Sequence, residues 1–234
     1  ILTLQLMPLL GFNIDFIDKE RRGLLIAQPL GEAIAAAADL RAGGGSQAAA
    51  AFNRAWQGVV TWHSEHAQDM PQTETLQRIA SQWAALGSGA QPAALDSFVV
   101  ELITLGEAVA DASNLTLDPE LNAYVLMDAV FFRVPEITEA VGQIRGMGNR
   151  VLRAGSLSTE EHTLMDKQDA VARYLFSAMN SGLPKSYAAN AQLASQVRSD
   201  DALRAMNAFL TLAEKTFDHT ISAPSPDAAA AFVS

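Results

Sequence analysis

The chain of 234 residues contains no cysteine. This absence excludes disulfides, thiolate zinc sites and cysteine nucleophiles. Aromatic residues are few and alanine is abundant, a balance that suits helix packing better than sheet packing. No run that alternates apolar with polar residues is long enough to predict a β-strand. Together these features predict a helical protein.

Basic residues are scarce as well. The sequence has 16 Lys and Arg against 26 Asp and Glu, a formal net charge of −10, and its basic residues form no cluster along the chain. Binding to a phosphate backbone is therefore disfavoured, and nucleic acid is not an expected partner.

Motifs for catalysis and for metal binding are absent too. The sequence has no G-x-S-x-G, no P-loop and no glycine-rich dinucleotide fingerprint, so we expect neither an enzyme nor a cofactor. His63 and His66 share a helix face, but a di-metal carboxylate bundle needs Glu-x-x-His from two helices, and the sequence has none. We therefore predict no metal site.

Glycines and prolines divide the chain into helices. The predicted helices run from about Leu9 to Arg41, Gln47 to Gln68, Thr73 to Leu86, Pro92 to Ala112, Asp118 to Ala154, Ser158 to Gly182, a shorter one from Pro184, Asp200 to Ile221, and one from Ser225. Asp118 as N-cap before Pro119 marks a specific start, and Ser158 with Glu161 forms a capping box. Pro135 predicts a kink inside the fifth helix.

The first and fifth predicted helices are the longest. Two long helices among several shorter ones predict an all-α fold, in which residues 1–234 form an elongated antiparallel helical bundle. We expect two stacked four-helix bundles that share the long helices.

The first helix has an apolar stripe that includes two polar residues. On a helical wheel the members of this stripe are Leu10, Ile14, Ile17, Arg21, Leu24 and Gln28. Arg22 points away from the stripe and lies beside Asp18, at the spacing of an exposed ion pair. We therefore predict Arg21 inside and Arg22 outside.

The fifth helix places Asp128 among apolar residues. On the wheel it lies within about 60° of Tyr124 and Phe131, whereas Arg133 lies about 140° away and cannot pair with it. Because an isolated buried carboxylate is costly, a partner is expected, and Arg21 is one candidate. In one interpretation, Arg21 and Asp128, or other hidden polar groups, form a network that fixes helix register. In the other, they line a ligand pocket.

Two segments carry a resemblance to a known family. The first is "KERRGLLIAQPL", and the second is "NLTLDPELNAYVLMDAVFFRVPEITEAVGQIRGMG". They contain a Glu-Arg-x-Gly segment before Pro-Leu, a Leu-Asp-Pro helix start, a Tyr-x-Leu-Met-Asp core and an Arg-x-Pro. In these motifs the chain resembles the extracytoplasmic helical sensor domains of bacterial transmembrane receptors of the methyl-accepting chemotaxis type. The segment "ADLRAGGGS" departs from the pattern expected after the first helix.

The resemblance implies a periplasmic homodimer that is attached to the inner membrane through flanking helices outside this chain. It implies that the chain starts at the end of one membrane helix and stops before another. A small ligand, favoured as an anion because Arg21 is predicted inside, would shift helix packing. The expected ligand-binding residues are Arg21, Asp128, Tyr124, Gln28 and Asn122, with Arg133 and Arg145 as further anchors. The alternative is a ligand-free helical module for dimerisation or protein interaction.

Overall fold

The computed structural model describes residues 14–86, 91–197, 199–217 and 232. These residues contain helices and no strand, so the predicted all-α class is confirmed. The helices are α1 (14–24), α2 (Ala27–Arg41), α3 (Gly45–His66), α4 (Thr73–Leu86), α5 (Pro92–Ala112), a 3₁₀ turn (Leu115–Leu117), α6 (Leu121–Asp128), a π-helical turn (Ala129–Arg133), α7 (Val134–Ala154), α8 (Thr159–Ala189), α9 (Ala191–Gln196) and α10 (Ser199–Thr216).

Helix ends with strong local signals lie where the sequence predicts them. Both α4 and α5 have the predicted bounds, and α7 ends at Ala154 because Gly155 adopts a left-handed conformation with φ of 67°. The predicted capping box of α8 is confirmed. The Ser158 hydroxyl accepts from the Glu161 N–H, and the Glu161 carboxylate accepts from the Ser158 N–H.

The first predicted helix is not continuous, and Pro29 is the reason. A proline cannot donate to the carbonyl four residues before it, and its ring crowds that carbonyl, which here belongs to Leu25. The chain turns at residues 25 and 26 and resumes as α2. The part of the predicted helix that precedes residue 14 lies outside the described residues.

Pro184 was predicted to open a separate helix, and this is wrong, because Pro184 lies inside the 31-residue α8. Tertiary contacts maintain the helix across it. Leu183 and Ser186 are both buried, and the Ser186 hydroxyl donates to the Asn122 carbonyl at 2.9 Å. Packing against α6 thus outweighs the local cost of the proline.

The fifth predicted helix is helical from residue 121 to residue 154, but its start and its interior differ from the prediction. Asp118 does not cap it. Its carboxylate accepts from the Glu120 N–H at 2.8 Å, in a turn that precedes Leu121. The departure from a regular α-helix is the π turn, which directly precedes α7. Pro135 lies in the first turn of α7.

Within the part of the chain that the structure describes, the buried side chains form two large hydrophobic clusters and one small one. The first large cluster joins α2, α3, α4 and α5 and includes Met127 and Phe131 from the long helix. The second joins α7, α8 and α10 with Phe232. The small cluster packs α8 against α6 and the π turn through Phe176, Met179 and Leu183. The helix of residues 121–154 contributes to all three. The helix predicted from Ser225 and the end of the one predicted to reach Ile221 lie outside the described residues.

Candidate functional site

Arg21 and Arg22 have environments opposite to those predicted. Arg21 is exposed, whereas Arg22 is half-buried and pairs with Asp69 at 3.3 Å. The carbonyl of Arg22 also accepts from the indole N–H of Trp62 at 2.8 Å. A helical wheel shows which residues share a face, but not which face meets the core. Here the core face is the one with Gly23, which packs so closely on Ser113 that a Cβ would overlap its hydroxyl.

The predicted apolar stripe of α1 is therefore its outer face. Ile14 is 60% exposed, and Ile17 and Leu24 are exposed as well. Gln28, which continues the same stripe into α2, is exposed and donates to Glu32 at 3.0 Å. With Arg21 on this surface, the predicted buried site around Arg21 is wrong.

Asp128 pairs with Arg133, contrary to the wheel. Arg133 Nε donates to Asp128 Oδ2 at 3.0 Å, and both side chains are partly exposed. An α-helix would separate these residues, but the π turn between them adds a residue to the repeat and brings positions five apart together. The hydrogen bond that Arg133 donates to the Asp128 carboxylate raises the pKa of Arg133. The predicted burial of Asp128 is therefore wrong, and its partner is Arg133, the residue that the wheel excluded, rather than Arg21.

The other residues that were predicted to bind a ligand do not form one site with Arg21 and Asp128. Tyr124 is exposed. Asn122 is half-buried, and its backbone carbonyl accepts the hydrogen bond from Ser186 of α8. Arg145 lies elsewhere on α7, where it forms an ion pair with Asp39 of α2. Arg145 also lines a polar pocket between the α2–α3 turn and α7.

A buried ion network does exist, on residues that the sequence analysis did not single out. The Arg41 side chain is 3% exposed and binds the Glu139 carboxylate through both terminal nitrogens, at 2.7 and 2.8 Å. It also donates to Asp96 at 2.8 Å, and Gln143 donates to Glu139 at 2.7 Å. Burial alone would lower the pKa of Arg41, but its bonds with Glu139 and Asp96 outweigh this and raise it.

This network joins three helices at one level. Arg41 comes from α2, Asp96 from α5 and Glu139 from α7, and a Cβ on Gly142 would approach Arg41 Nη2 to 2.9 Å. The spacing between α2 and α7 is thus fitted to the guanidinium. The register-fixing role that was one interpretation of Arg21 and Asp128 suits these three residues, because a buried pair tolerates few alternative alignments. Arg41 escaped notice because a basic residue at a helix C-terminus is ordinary.

A pocket of about 430 Å³ lies beside this network, where the turn between α2 and α3 meets α7. Its polar lining residues include Arg54 of α3 with Arg145 and Asn149 of α7. Asn149 is fixed by donating to the Ala42 carbonyl at 2.8 Å. Arg153 reaches the rim, since one of its terminal nitrogens lies 3.3 Å from a Cβ built on Gly43.

The glycines of this turn place the start of α3 at the pocket. Gly43 has φ of 102° and Gly45 has φ of 54°, values that glycine adopts without strain. The first turn of α3 carries no acidic residue, and its N-cap, Gly44, has no side chain to accept from the free N–H groups. Those N–H groups, on residues 45 to 47, are donors available to an anion.

The charges around the pocket are predominantly positive, although the chain as a whole is acidic. Asp39 is the one carboxylate among the described lining residues, and it is paired with Arg145. Arg54 and Arg153 form no ion pair with any described residue. Arg145 Nε also lacks a partner among the described residues. The sequence analysis named Arg145 but missed the cluster, because Arg54 of α3 is distant in sequence from Arg145 and Arg153 of α7.

The largest cavity described, about 610 Å³, has a different character. It lies between α7, α8 and α10 and is bordered by Asp166, Asp169 and Glu214, with Lys215 and His162 as the basic groups. Because acidic groups outnumber basic groups around it, this cavity disfavours the binding of an anion. We therefore take the pocket at the α2–α3 turn, hereafter the arginine pocket, as the candidate functional site.

One helical stretch, residues 14–41, is long and apolar enough to cross a membrane, but half of its most apolar window is buried within the protein. The core helix of a soluble protein passes the same test, so this is weak support for membrane insertion. Among the residues described, no group of three or more His, Asp or Glu side chains is placed to hold a metal ion.

Comparisons with protein-family models, with curated proteins and with solved structures found no match to this chain.

Proposed function

We propose that the chain is the sensor domain of a bacterial transmembrane receptor, and that it binds a small carboxylate-like or other oxyanion ligand in the arginine pocket. The observation that carries the proposal is that Arg54 and Arg145 line one pocket with the uncapped start of α3, and that Arg153 reaches its rim, in a chain of net charge −10. Guanidinium groups bind carboxylates with two parallel hydrogen bonds, and a helix N-terminus adds N–H donors. The ligand class is the one expected from the sequence, but its location is different.

Binding in this pocket acts on the contact between α2 and α7. An anion that engages Arg145 competes with Asp39, the carboxylate that now ties Arg145 to α2. Loosening this tie changes the packing of α7 on α2, and α7 belongs to the helix of residues 121–154. A signal requires only that the ligand prefers one packing. A tenfold preference corresponds to about 1.4 kcal/mol.

The proposed architecture is two stacked four-helix bundles that share long helices. The two large hydrophobic clusters support it, because each has its own set of helices and the helix of residues 121–154 contributes to both. In this arrangement the displacement at the arginine pocket travels along one continuous rod.

The proposed setting is the periplasmic side of the inner membrane, with a homodimer as the working unit. The exposed face of α1, formed by Ile14, Ile17 and Leu24, supports association, because large apolar side chains on one helix face are stabilised by burial against a second copy.

The experiment is a binding screen with matched arginine variants. Small carboxylates, amino acids, nitrate and inorganic phosphate are tested by thermal shift, and each hit is measured by calorimetry. We expect at least one hit whose affinity falls about tenfold or more in Arg145→Ala and in Arg54→Ala, since each removes a charge-assisted hydrogen bond. In Asp39→Asn the affinity rises several-fold, because the competing carboxylate is lost.

Two control variants locate the site. Arg204→Ala removes an exposed arginine of α10 that pairs with Asp201, and it leaves the affinity unchanged. Arg21→Ala tests the residue first expected from the sequence. If binding depends on Arg21 and not on Arg145 or Arg54, the ligand binds elsewhere and the arginine pocket is excluded.

The second candidate is the ligand-free dimerisation module, and the exposed face of α1 favours it too. In that case no small anion stabilises the protein, while Ile17→Glu still converts a dimer to a monomer in size-exclusion chromatography with light scattering. A stabilising anion sensitive to Arg145→Ala excludes this candidate as the full function.

A further inference from the structure

A second cavity lies about the π turn and has a different chemistry. Its volume is about 240 Å³, and it is bounded by α2, α5 and the junction of the π turn with α7. Thr138 is the one polar side chain among the described lining residues, and its hydroxyl is already used, donating to the Val134 carbonyl at 2.8 Å. The walls are otherwise carbon, including Ile34, Ile103 and Phe131.

Glycine leaves this space open. Gly31 lines the cavity, and a Cβ built on it meets nothing within 4 Å. Most other helical glycines in the described residues permit a close helix contact, as Gly142 and Gly23 do. Gly31 is itself exposed, so the space beside it is the open mouth of the cavity, which a larger side chain would block.

Pro135, which also lines the cavity, cannot donate a backbone hydrogen bond to the turn before it. It has no N–H, so one backbone carbonyl in the turn before it receives no bond from this position. Val130 and Phe131, whose carbonyls belong to that turn, both line the cavity. An occupant with an N–H or O–H donor would complete the hydrogen bonding of this stretch of helix.

None of the described lining residues is acidic, but carboxylates directly follow two of them in the chain. Glu107 follows the lining residue Gly106, and Glu136 follows Pro135. Burial, and then repulsion from Glu136 and Asp111, raises the pKa of Glu107. Asp128 brings a fourth carboxylate, and Arg133, which is hydrogen-bonded to it, is the one guanidinium among these groups. This potential repels anions and favours cations.

We infer that this cavity binds a small organic amine, whose apolar body fills the space between α2, α5 and the π turn and whose ammonium group lies at the acidic mouth. A cavity of 150 Å³ accommodates benzene, so roughly ten non-hydrogen atoms fit here. The site is separate from the arginine pocket and takes a ligand of opposite charge. Because the π turn forms one wall, an occupant contacts the helix of residues 121–154 directly.

The test uses three probes of one shape. Benzylamine, benzyl alcohol and benzoate are titrated into the whole chain by calorimetry. We expect benzylamine to bind at least about threefold more tightly than benzyl alcohol, with its advantage reduced by salt, and benzoate to be the weakest. Equal affinities, or benzoate the strongest, overturn the proposal.

Variants assign the binding to this cavity. Gly31→Leu blocks the open mouth of the cavity and lowers benzylamine affinity at least about tenfold, whereas Gly31→Ala retains it within about twofold. The double variant Glu107→Gln with Glu136→Gln lowers benzylamine affinity roughly three- to tenfold and leaves benzyl alcohol unchanged. Circular dichroism confirms folding. If Gly31→Leu does not fold, Val134→Phe closes the cavity from the opposite wall, and undiminished binding in the folded variant overturns the proposal.

Discussion

Asp128 and Arg133 are bonded across a π turn, in which the helix repeat contains one additional residue. A regular α-helix brings together residues three and four apart, so a carboxylate and a guanidinium five apart would face different directions. The additional residue of the π turn brings the two side chains to the same side of the helix. Both are partly exposed, and an ion pair at such a position contributes at most about 1 kcal/mol to stability. Among the described residues the buried ion pair is instead that of Arg41 with Glu139, which half-exposed Asp96 joins from the surface.

The Arg41 network makes the strongest stability prediction at this scale. Glu139→Gln leaves a buried guanidinium without its bidentate partner, so we expect the free energy of unfolding to fall by about 3–5 kcal/mol in urea denaturation. Asp169→Asn is the control. It breaks a partly exposed pair with Arg173 one helical turn away and costs about 0.5 kcal/mol or less. Equal effects of the two changes would contradict the role given to Arg41.

The α8 cap predicts a pH dependence. Hydrogen bonds from the Ser158 backbone and side chain, with Arg150 nearby, hold the pKa of Glu161 below its ordinary value of 4.5. The charged carboxylate therefore stabilises the folded state above that value, and the contribution is lost as the pH falls through the lowered pKa. Glu161→Gln keeps a capping side chain but no charge. The melting temperature of the native chain should exceed that of the variant at neutral pH, and the difference should vanish in acid. A constant difference would contradict the electrostatic account.

Helix ends and helix interiors depend on different information. Gly155, the Ser158 capping box and Pro92 act within one turn of chain, and the structure has helix ends at each of them. Pro29 and Pro184 are both prolines within apolar helical stretches, yet one interrupts the helix and the other does not. What distinguishes Pro184 is the packing of Leu183 and Ser186 on α6, a contact between residues distant in sequence. The π turn is likewise invisible to a fixed helical period.

Two glycines in neighbouring helices predict opposite effects of one substitution. Gly23→Ala places a methyl group where Ser113 already lies, so the helices must separate, at a cost of about 1–3 kcal/mol. Gly31→Ala meets open space and improves helix propensity, a gain of about 0.5–1 kcal/mol. Thermal and urea unfolding of the two variants measures both. A stabilised Gly23→Ala would show that α1 does not pack on Ser113 as described.

At the scale of the whole molecule, the composition predicted the fold class but not the location of the candidate site. Few aromatics, much alanine and a helix-type pattern lead to an all-α protein without any tertiary information. The arginine pocket is assembled from the α2–α3 turn, Arg54 and Arg145, which are far apart in the sequence. Only the packing of α2 and α3 beside α7 brings them together. The sequence also does not predict which face of α1 meets the core. A stripe of apolar residues that includes Arg21 is compatible with burial in the core or with an interface between two copies.

The central claim, that the arginine pocket binds a small anion, is tested most directly by amide NMR. The chain is titrated with whichever anion stabilises it most in the thermal-shift screen, and the backbone amide shifts are mapped. The account predicts the largest changes at Gly45, Ser46 and Gln47, the free N–H groups at the start of α3, and none at the start of α10, whose first turn carries Asp200 and Asp201. Shifts clustered around Arg21, or no shift at residues 45 to 47 with a bound anion, would contradict it.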